Sequence, residues 1–252
     1  MRCLLILLLT LITNSAPAQG WDINLALGLS YARILPGAQS TKHTDNIRYS
    51  FGQPGICIGP ELYLNLNEHN RVLFSYQLSE NKTGIKFRAG RGADYHEFSY
   101  EQFQLHNFSV GYCHQRSIGH EKAVLGTLVK IGIANGTFVG SGYGGTGSGS
   151  SAGYLYIQQL NGNPVMLSFW MPNITAGLTL SPRFRWSPLM ERITATASLT
   201  AGFKDIYTDY AKVQYTIYTD NGIDKGTAQY RGTPLFLQFL VSYRLYKRER
   251  DS

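Results

Sequence analysis

The chain has 252 residues and a formal net charge of +7, with 15% charged residues, 13% aromatics, 17 tyrosines and 27 glycines. Soluble domains carry about 25% charged residues. The Lys and Arg residues are scattered rather than striped, which speaks against nucleic-acid binding. Three cysteines are too few for a disulfide scaffold.

One positive charge, Arg2, precedes a short apolar run from Cys3 to Ile12, and Ala16-Pro17-Ala18 supplies a small-x-small cleavage site. The run is too short to cross a bilayer as a helix, which needs about 20 residues. Residues 1–18 are therefore expected to be a cleaved signal peptide, with the mature chain running from 19 to 252. Cys3 precedes the apolar core, so it cannot be the lipidated first residue of a mature lipoprotein.

From Trp21 onward the dominant signal is period two. Trp21, Ile23, Leu25, Leu27, Leu29 and Tyr31 alternate with Asp22, Asn24, Ala26, Gly28, Ser30 and Ala32, giving one apolar and one small or polar face. The segments 55–66 and 71–79 follow the same rule. Segment 102–113 changes phase near His106, as a β-bulge would produce. Segments 122–134, 168–180 and 193–204 continue the alternation. The last segment sets Leu235, Leu237, Phe239, Val241, Tyr243 and Leu245 against Phe236, Gln238, Leu240, Ser242, Arg244 and Tyr246.

Eight strands result, and their connections alternate in length. Residues 67–70, 114–121 and 181–191 are the shorter ones; 33–54, 80–101, 135–167 and 205–232 are long. Tight periplasmic turns and long extracellular loops give this rhythm in an eight-stranded antiparallel up-and-down transmembrane β-barrel. An open sheet in lipid would leave its edges unsatisfied, so the barrel must close. On that topology Trp21, Tyr112 and Tyr243 point outward at the periplasmic rim, and Tyr31, Trp170 and Phe203 point outward at the other, as two interfacial girdles. A lipocalin-like soluble barrel would turn its apolar face inward.

These features together resemble the small outer-membrane β-barrel proteins common in Bacteroidetes: an export signal, eight alternating segments, Gly-rich long connections and a closing strand Leu235–Tyr246. The resemblance implies localisation in the bacterial outer membrane and contact with its lipid and lipopolysaccharide. It also implies dependence on the barrel-insertion machinery, which in such barrels often reads a terminal aromatic. Here Tyr246 is followed by Lys-Arg-Glu-Arg-Asp-Ser.

Five charged residues, Asp22, Glu61, Lys130, Lys204 and Arg244, have inward parity. Unpaired charges in a narrow interior are costly, so an ion-pair network plugging the lumen is expected. Eight strands leave an interior that side chains can fill, which disfavours a porin. The six histidines show no metal-ligand spacing. The run Gly140–Gly149 lacks the Gly-Lys-Ser/Thr ending of a phosphate loop and is expected to be a flexible extracellular loop. No cofactor is implied.

Some eight-stranded barrels modify lipid A acyl chains with a His, a Ser and an acidic residue near the outer rim. The nearest local candidate is His96-Glu97-Phe98-Ser99, and its spacing establishes no Ser–His contact. In the last long connection Asn221-Gly222 lies between alternating segments, a strong hairpin signal. A second, weaker one follows Leu155–Gln159 at Asn161-Gly162. Residues 205–232 are thus expected to form a ribbon above the membrane whose edge can bind an extracellular protein by strand addition. The expected role is non-enzymatic, structural or surface-interacting; a lipid A acyl-modifying enzyme and a narrow small-solute channel are the competing readings. Cys57 and Cys113 are expected to stay free, because they fall at opposite ends of the barrel.

Overall fold

The computed structural model describes residues 20–36, 47–87, 96–119, 122–139, 146–150, 153–159, 168–183, 187, 189–204, 206–219 and 222–249. The expected signal peptide, residues 1–18, lies outside them. The elements are β1 (Gly20–Pro36), β2 (Ile47–Phe51), β3 (Gly55–Asn65), β4 (Asn70–Phe87), β5 (His96–Ile118), β6 (Ala123–Val139), β7 (Thr146–Ser150) and β8 (Gly153–Gln159). They continue with β9 (Ser168–Pro182), one 3-10 turn at Met190–Arg192, β10 (Ile193–Gly202), β11 (Ile206–Thr219) and β12 (Gly222–Glu249).

Eight strands close a barrel in the order β1-β3-β4-β5-β6-β9-β10-β12, with β12 pairing back onto β1 and every pairing antiparallel. Closure leaves no sheet edge at membrane depth, as an all-strand structure in hydrocarbon requires.

The register sets the tilt. A row of paired residues starts at Trp21 and runs through Leu64, Val72, Tyr112, Val129, Ala176, Leu199 and Leu237. It returns to β1 at Tyr31, ten residues beyond its start. With standard strand spacing this stagger tilts the strands by about 40° and puts Tyr31 about 25 Å above Trp21. That span matches the apolar band of a transmembrane barrel, about 25 Å tall.

Burial follows the alternation. Leu25, Leu27, Ile56, Phe108, Val129, Leu178, Leu199 and Val241 are exposed on the outer wall. Asp22, Asn24, Ser30, Glu61, Lys130, Thr175, Ser198 and Ser242 are buried inside. An exterior of this kind is stable in hydrocarbon and unstable in water.

Two details come from residue chemistry. Pro60 has no N–H to donate, and the β3–β4 pairing breaks between Ile58/Leu78 and Glu61/Ser75. Next to it, a Cβ on Gly59 would lie 1.9 Å from the Tyr76 carbonyl oxygen, so only glycine fits there.

The four long connections are in large part strand. β1 runs to Pro36, and β2 pairs with Thr83–Phe87 at the outer end of β4. β11 and β12 form the expected hairpin, with Thr219 paired to Gly222 and Gly222 at φ +124°. The second expected hairpin, at Asn161-Gly162, lies outside the described residues. β7 and β8 pair antiparallel, with Ser150 opposite Gly153. The end of the Gly-rich tract thus supplies part of β7. β8 also pairs with β11, so among the described residues the ribbon has four strands, β12-β11-β8-β7, and ends at β7 rather than β11.

The phase change expected near His106 is absent. Pairing is continuous through Leu105, His106 and Asn107, and the irregularity lies farther out, between Thr83 and Gly84. Leu105 faces the lumen and is buried, while His106 turns outward and hydrogen-bonds through Nδ1 to the Tyr76 hydroxyl at 2.7 Å. The apolar residue breaks the outer pattern because the lumen needs it as filler. A real bulge sits in β12: Ile23 pairs with Tyr246 and Asn24 with Arg244, so Leu245 is the extra residue. It turns Tyr246 outward, opposite to its expected face, and Tyr246 is exposed there.

Candidate functional site

The interior divides into a charged part at the end with the short connections, the expected periplasmic end, and a neutral part toward the opposite, outer end. At the periplasmic end the Arg71 guanidinium lies 3.7 Å from Asp22 and its Cζ 5.9 Å from the Tyr63 ring centroid. Tyr63 packs with Leu73, Cys113 and Leu128. Above it Glu61 accepts hydrogen bonds from Ser242 at 2.8 Å and Tyr63 at 3.4 Å. The Lys130 side chain is buried on β6, and no ion pair joins it to Glu61 or Asp22 among the described residues.

Asp22, Glu61 and Lys130 are thus brought into one buried region. Arg244 is half-buried at its lower edge, opposite Asn24. Lys204 does not join them. β10 ends at Gly202, the chain bends, and Lys204 is exposed at the outer rim, some 25 Å from the periplasmic end. Arg71 was missed as a lumen residue. Its alternation with Leu73, Ser75 and Gln77 carried the signal, because all four share one parity.

The outer half is filled by amides, hydroxyls and apolar side chains. Ser30 donates to Asn81 Oδ1 at 2.7 Å, Asn81 Nδ2 to Ser79 Oγ at 2.8 Å, and Asn173 Nδ2 to Asn107 Oδ1 at 2.9 Å. Leu105, Met171 and Phe236 are buried over them. A cavity of about 10 Å³ remains among Gln77, Asn107, Asn173 and Gln238. Both amide atoms of Gln77, Oδ1 of Asn173 and Oε1 of Gln238 have no protein partner. The space is about one water molecule wide.

The thiols of Cys57 and Cys113 are free and buried in separate clusters, Cys57 with Ala26 and Leu240, Cys113 with Tyr63, Leu73 and Leu128. Among the described residues no three His, Cys, Asp or Glu side chains converge on a metal-sized site. His96–Ser99 opens β5, but its side chains lie outside the described residues.

The aromatic residues lie where the wall meets its ends. Trp21 stacks on Tyr246 at 4.9 Å between ring centroids. Tyr112 sits higher on the tilted row than Trp21, and its hydroxyl reaches Asn70, whose Oδ1 also meets His114 Nδ1 at 2.9 Å. Tyr243 lies 3.5 Å from an Arg192 guanidinium nitrogen, which donates to its hydroxyl. Both tyrosines thus keep the ring on the apolar wall and the oxygen toward periplasmic polar groups. At the other end Tyr31 meets Phe239 edge to face, and Trp170 and Phe203 are exposed. A groove of about 1010 Å³ crosses the outer wall among Leu62, Phe74, Phe108, Ile133 and Pro172.

No protein-family model and no curated protein sequence matches the chain. Its structure is similar to that of Neisserial surface protein A, at 8% identity and TM-score 0.39 over 90% of this chain and 99% of that one. It is similar to the outer membrane protein OprG from Pseudomonas aeruginosa, at 9% identity and TM-score 0.40 over 94% and 99%. Ail, the attachment invasion locus protein of Yersinia pestis, aligns at 13% identity and TM-score 0.39 over 90% and 99%.

Proposed function

We propose that the chain is a bacterial outer-membrane barrel with a non-enzymatic structural or surface-interaction role, exported by its first 18 residues and seated in the membrane by the insertion machinery. The observation that carries this is the combination of an apolar outer wall with an interior closed by its own side chains. The wall supports residence in lipid, and the packed lumen disfavours transport. Asp22, Glu61 and Lys130, with Arg71 and Arg244, serve as a plug whose opposite charges keep the buried ions tolerable. The part left to meet partners is the four-stranded ribbon, which carries the 205–232 segment outward beyond the Tyr31, Trp170 and Phe203 girdle, toward lipopolysaccharide and extracellular proteins. Strand addition there uses β7, whose far edge has no strand partner among the described residues.

Protease sites inserted at two turns test the orientation. A site between Thr219 and Gly222 is cut on intact cells, and one at Glu68 is cut only after the outer membrane is permeabilised. Cleavage at Glu68 with protection at the hairpin tip overturns the assignment.

A further inference from the structure

The charged groups at the periplasmic end are not all in the lumen. Arg116 at the end of β5, Lys122 before β6, Arg183 after β9, Arg192 before β10 and Arg248 in β12 are all exposed. They belong to five successive strands of the barrel, so they trace an arc around more than half of its circumference. The backbone bond from Arg183 N–H to the Lys122 carbonyl, 2.7 Å, ties two of these positions together. None of the five is ion-paired among the described residues. On the same arc the described exposed acid is Glu191.

The outer rim differs. There Arg33, Lys82 and Lys204 are spread among Glu80, Gln104 and Asn135. Among the described residues, the periplasmic arc thus presents five exposed cations against one exposed acid at one level of the wall.

We propose that this arc binds anionic phospholipid headgroups of the periplasmic leaflet, the phosphodiesters of the phosphatidylglycerol class. Three features select a lipid annulus over an acidic protein. The cations encircle the wall instead of clustering on the underside. They lie just below the level where Trp21, Tyr246 and Tyr243 mark the edge of the apolar band, where phosphates of a bilayer sit. Arg192 is drawn up against the Tyr243 hydroxyl, so its guanidinium points along the wall. Four of the five are arginines, whose planar fork matches a phosphate in bidentate fashion. Leu125, Leu178, Leu180 and Val241 give the acyl chains a continuous apolar surface above the arc. The inference rests on the transmembrane reading, and the experiment separates the two.

The full-length chain is first inserted into phosphatidylcholine vesicles and then into vesicles mixed with phosphatidylglycerol, and lipids retained after mild detergent extraction are counted by native mass spectrometry. The unmodified protein retains phosphatidylglycerol in preference to phosphatidylcholine, and added salt weakens the preference. The variant R116Q/R183Q/R192Q/R248Q inserts equally well into phosphatidylcholine but loses the preference, by about fivefold in affinity per cation removed. A control, K82Q/K204Q/K225Q, keeps it. Insertion without headgroup preference overturns the arc alone, as does an equal loss in the control; an acidic periplasmic protein as the true partner gives the first of these results. Failure of the unmodified chain to enter phosphatidylcholine vesicles overturns the transmembrane reading and the arc with it.

Discussion

The two halves of the lumen solve the same packing problem with different chemistry. In the periplasmic half Asp22 has Arg71, Glu61 has Ser242 and Tyr63, and Leu73 is fully buried among Tyr63, Cys113 and Leu128. In the outer half several amide atoms of Gln77, Asn173 and Gln238 have no protein partner and border a small cavity, beneath Leu105, Met171 and Phe236. Charge tolerates less slack: Asp22 Oδ1 and Asn24 Oδ1 also lack a protein partner, but Asp22 Oδ2 faces Arg71. An unpaired buried ion costs several kcal/mol, whereas an amide left without a partner costs about 1–3 kcal/mol. The charged half is therefore the part that fixes the interior, and the outer half closes it with apolar bulk.

The largest test of this contrast is Glu61→Leu. It leaves the Ser242 and Tyr63 hydroxyls without their buried acceptor and removes a carboxylate from the lumen that holds Lys130, and should cost about 3–5 kcal/mol in reversible unfolding from vesicles. The double variant Glu61→Leu/Lys130→Met should recover most of that loss, and additive costs would show that the two groups do not interact. Next comes Leu73→Ala, which opens a cavity in the tightest cluster, with an expected cost of about 3 kcal/mol. The smallest effect belongs to the outer half. Gln77→Leu removes two orphaned amide atoms at similar volume and should change stability by less than about 1 kcal/mol in either direction. A loss as large as that of Leu73→Ala would mean that Gln77 is held by contacts the two-part description omits.

Much of this was legible in the residues, for a physical reason. Lipid demands an apolar side chain at every second position, and β1 and β10 obey that rule without exception from Trp21 to Tyr31 and from Ile193 to Leu199. The lumen makes no equally uniform demand. It accepts Asp22 or Ser242 where a partner exists and Leu73, Leu105 or Phe236 where only volume is needed. Apolar residues of the second kind made Leu105 look like wall and suggested a bulge at His106. The actual bulge at Leu245 leaves almost no trace, since Leu245 and Tyr246 both suit the outer wall. Arg71 was recoverable from parity, yet its place at the strand's start hid it. The ribbon was half legible: Asn221-Gly222 located its hairpin, but β7 lies in a Gly- and Ser-rich tract, which carries no side-chain pattern to read.

The central claim is that the outer wall, from Trp21 to Tyr31, faces hydrocarbon. Spin labels placed singly at Trp21, Leu25, Leu27 and Tyr31 of the protein in vesicles, probed with oxygen and with a water-soluble nickel chelate, measure it directly. Contact with oxygen should peak at Leu25 and Leu27, and contact with the chelate should rise only at Trp21 and Tyr31. Free access of the chelate to Leu25 and Leu27 would place that wall in water and contradict the account.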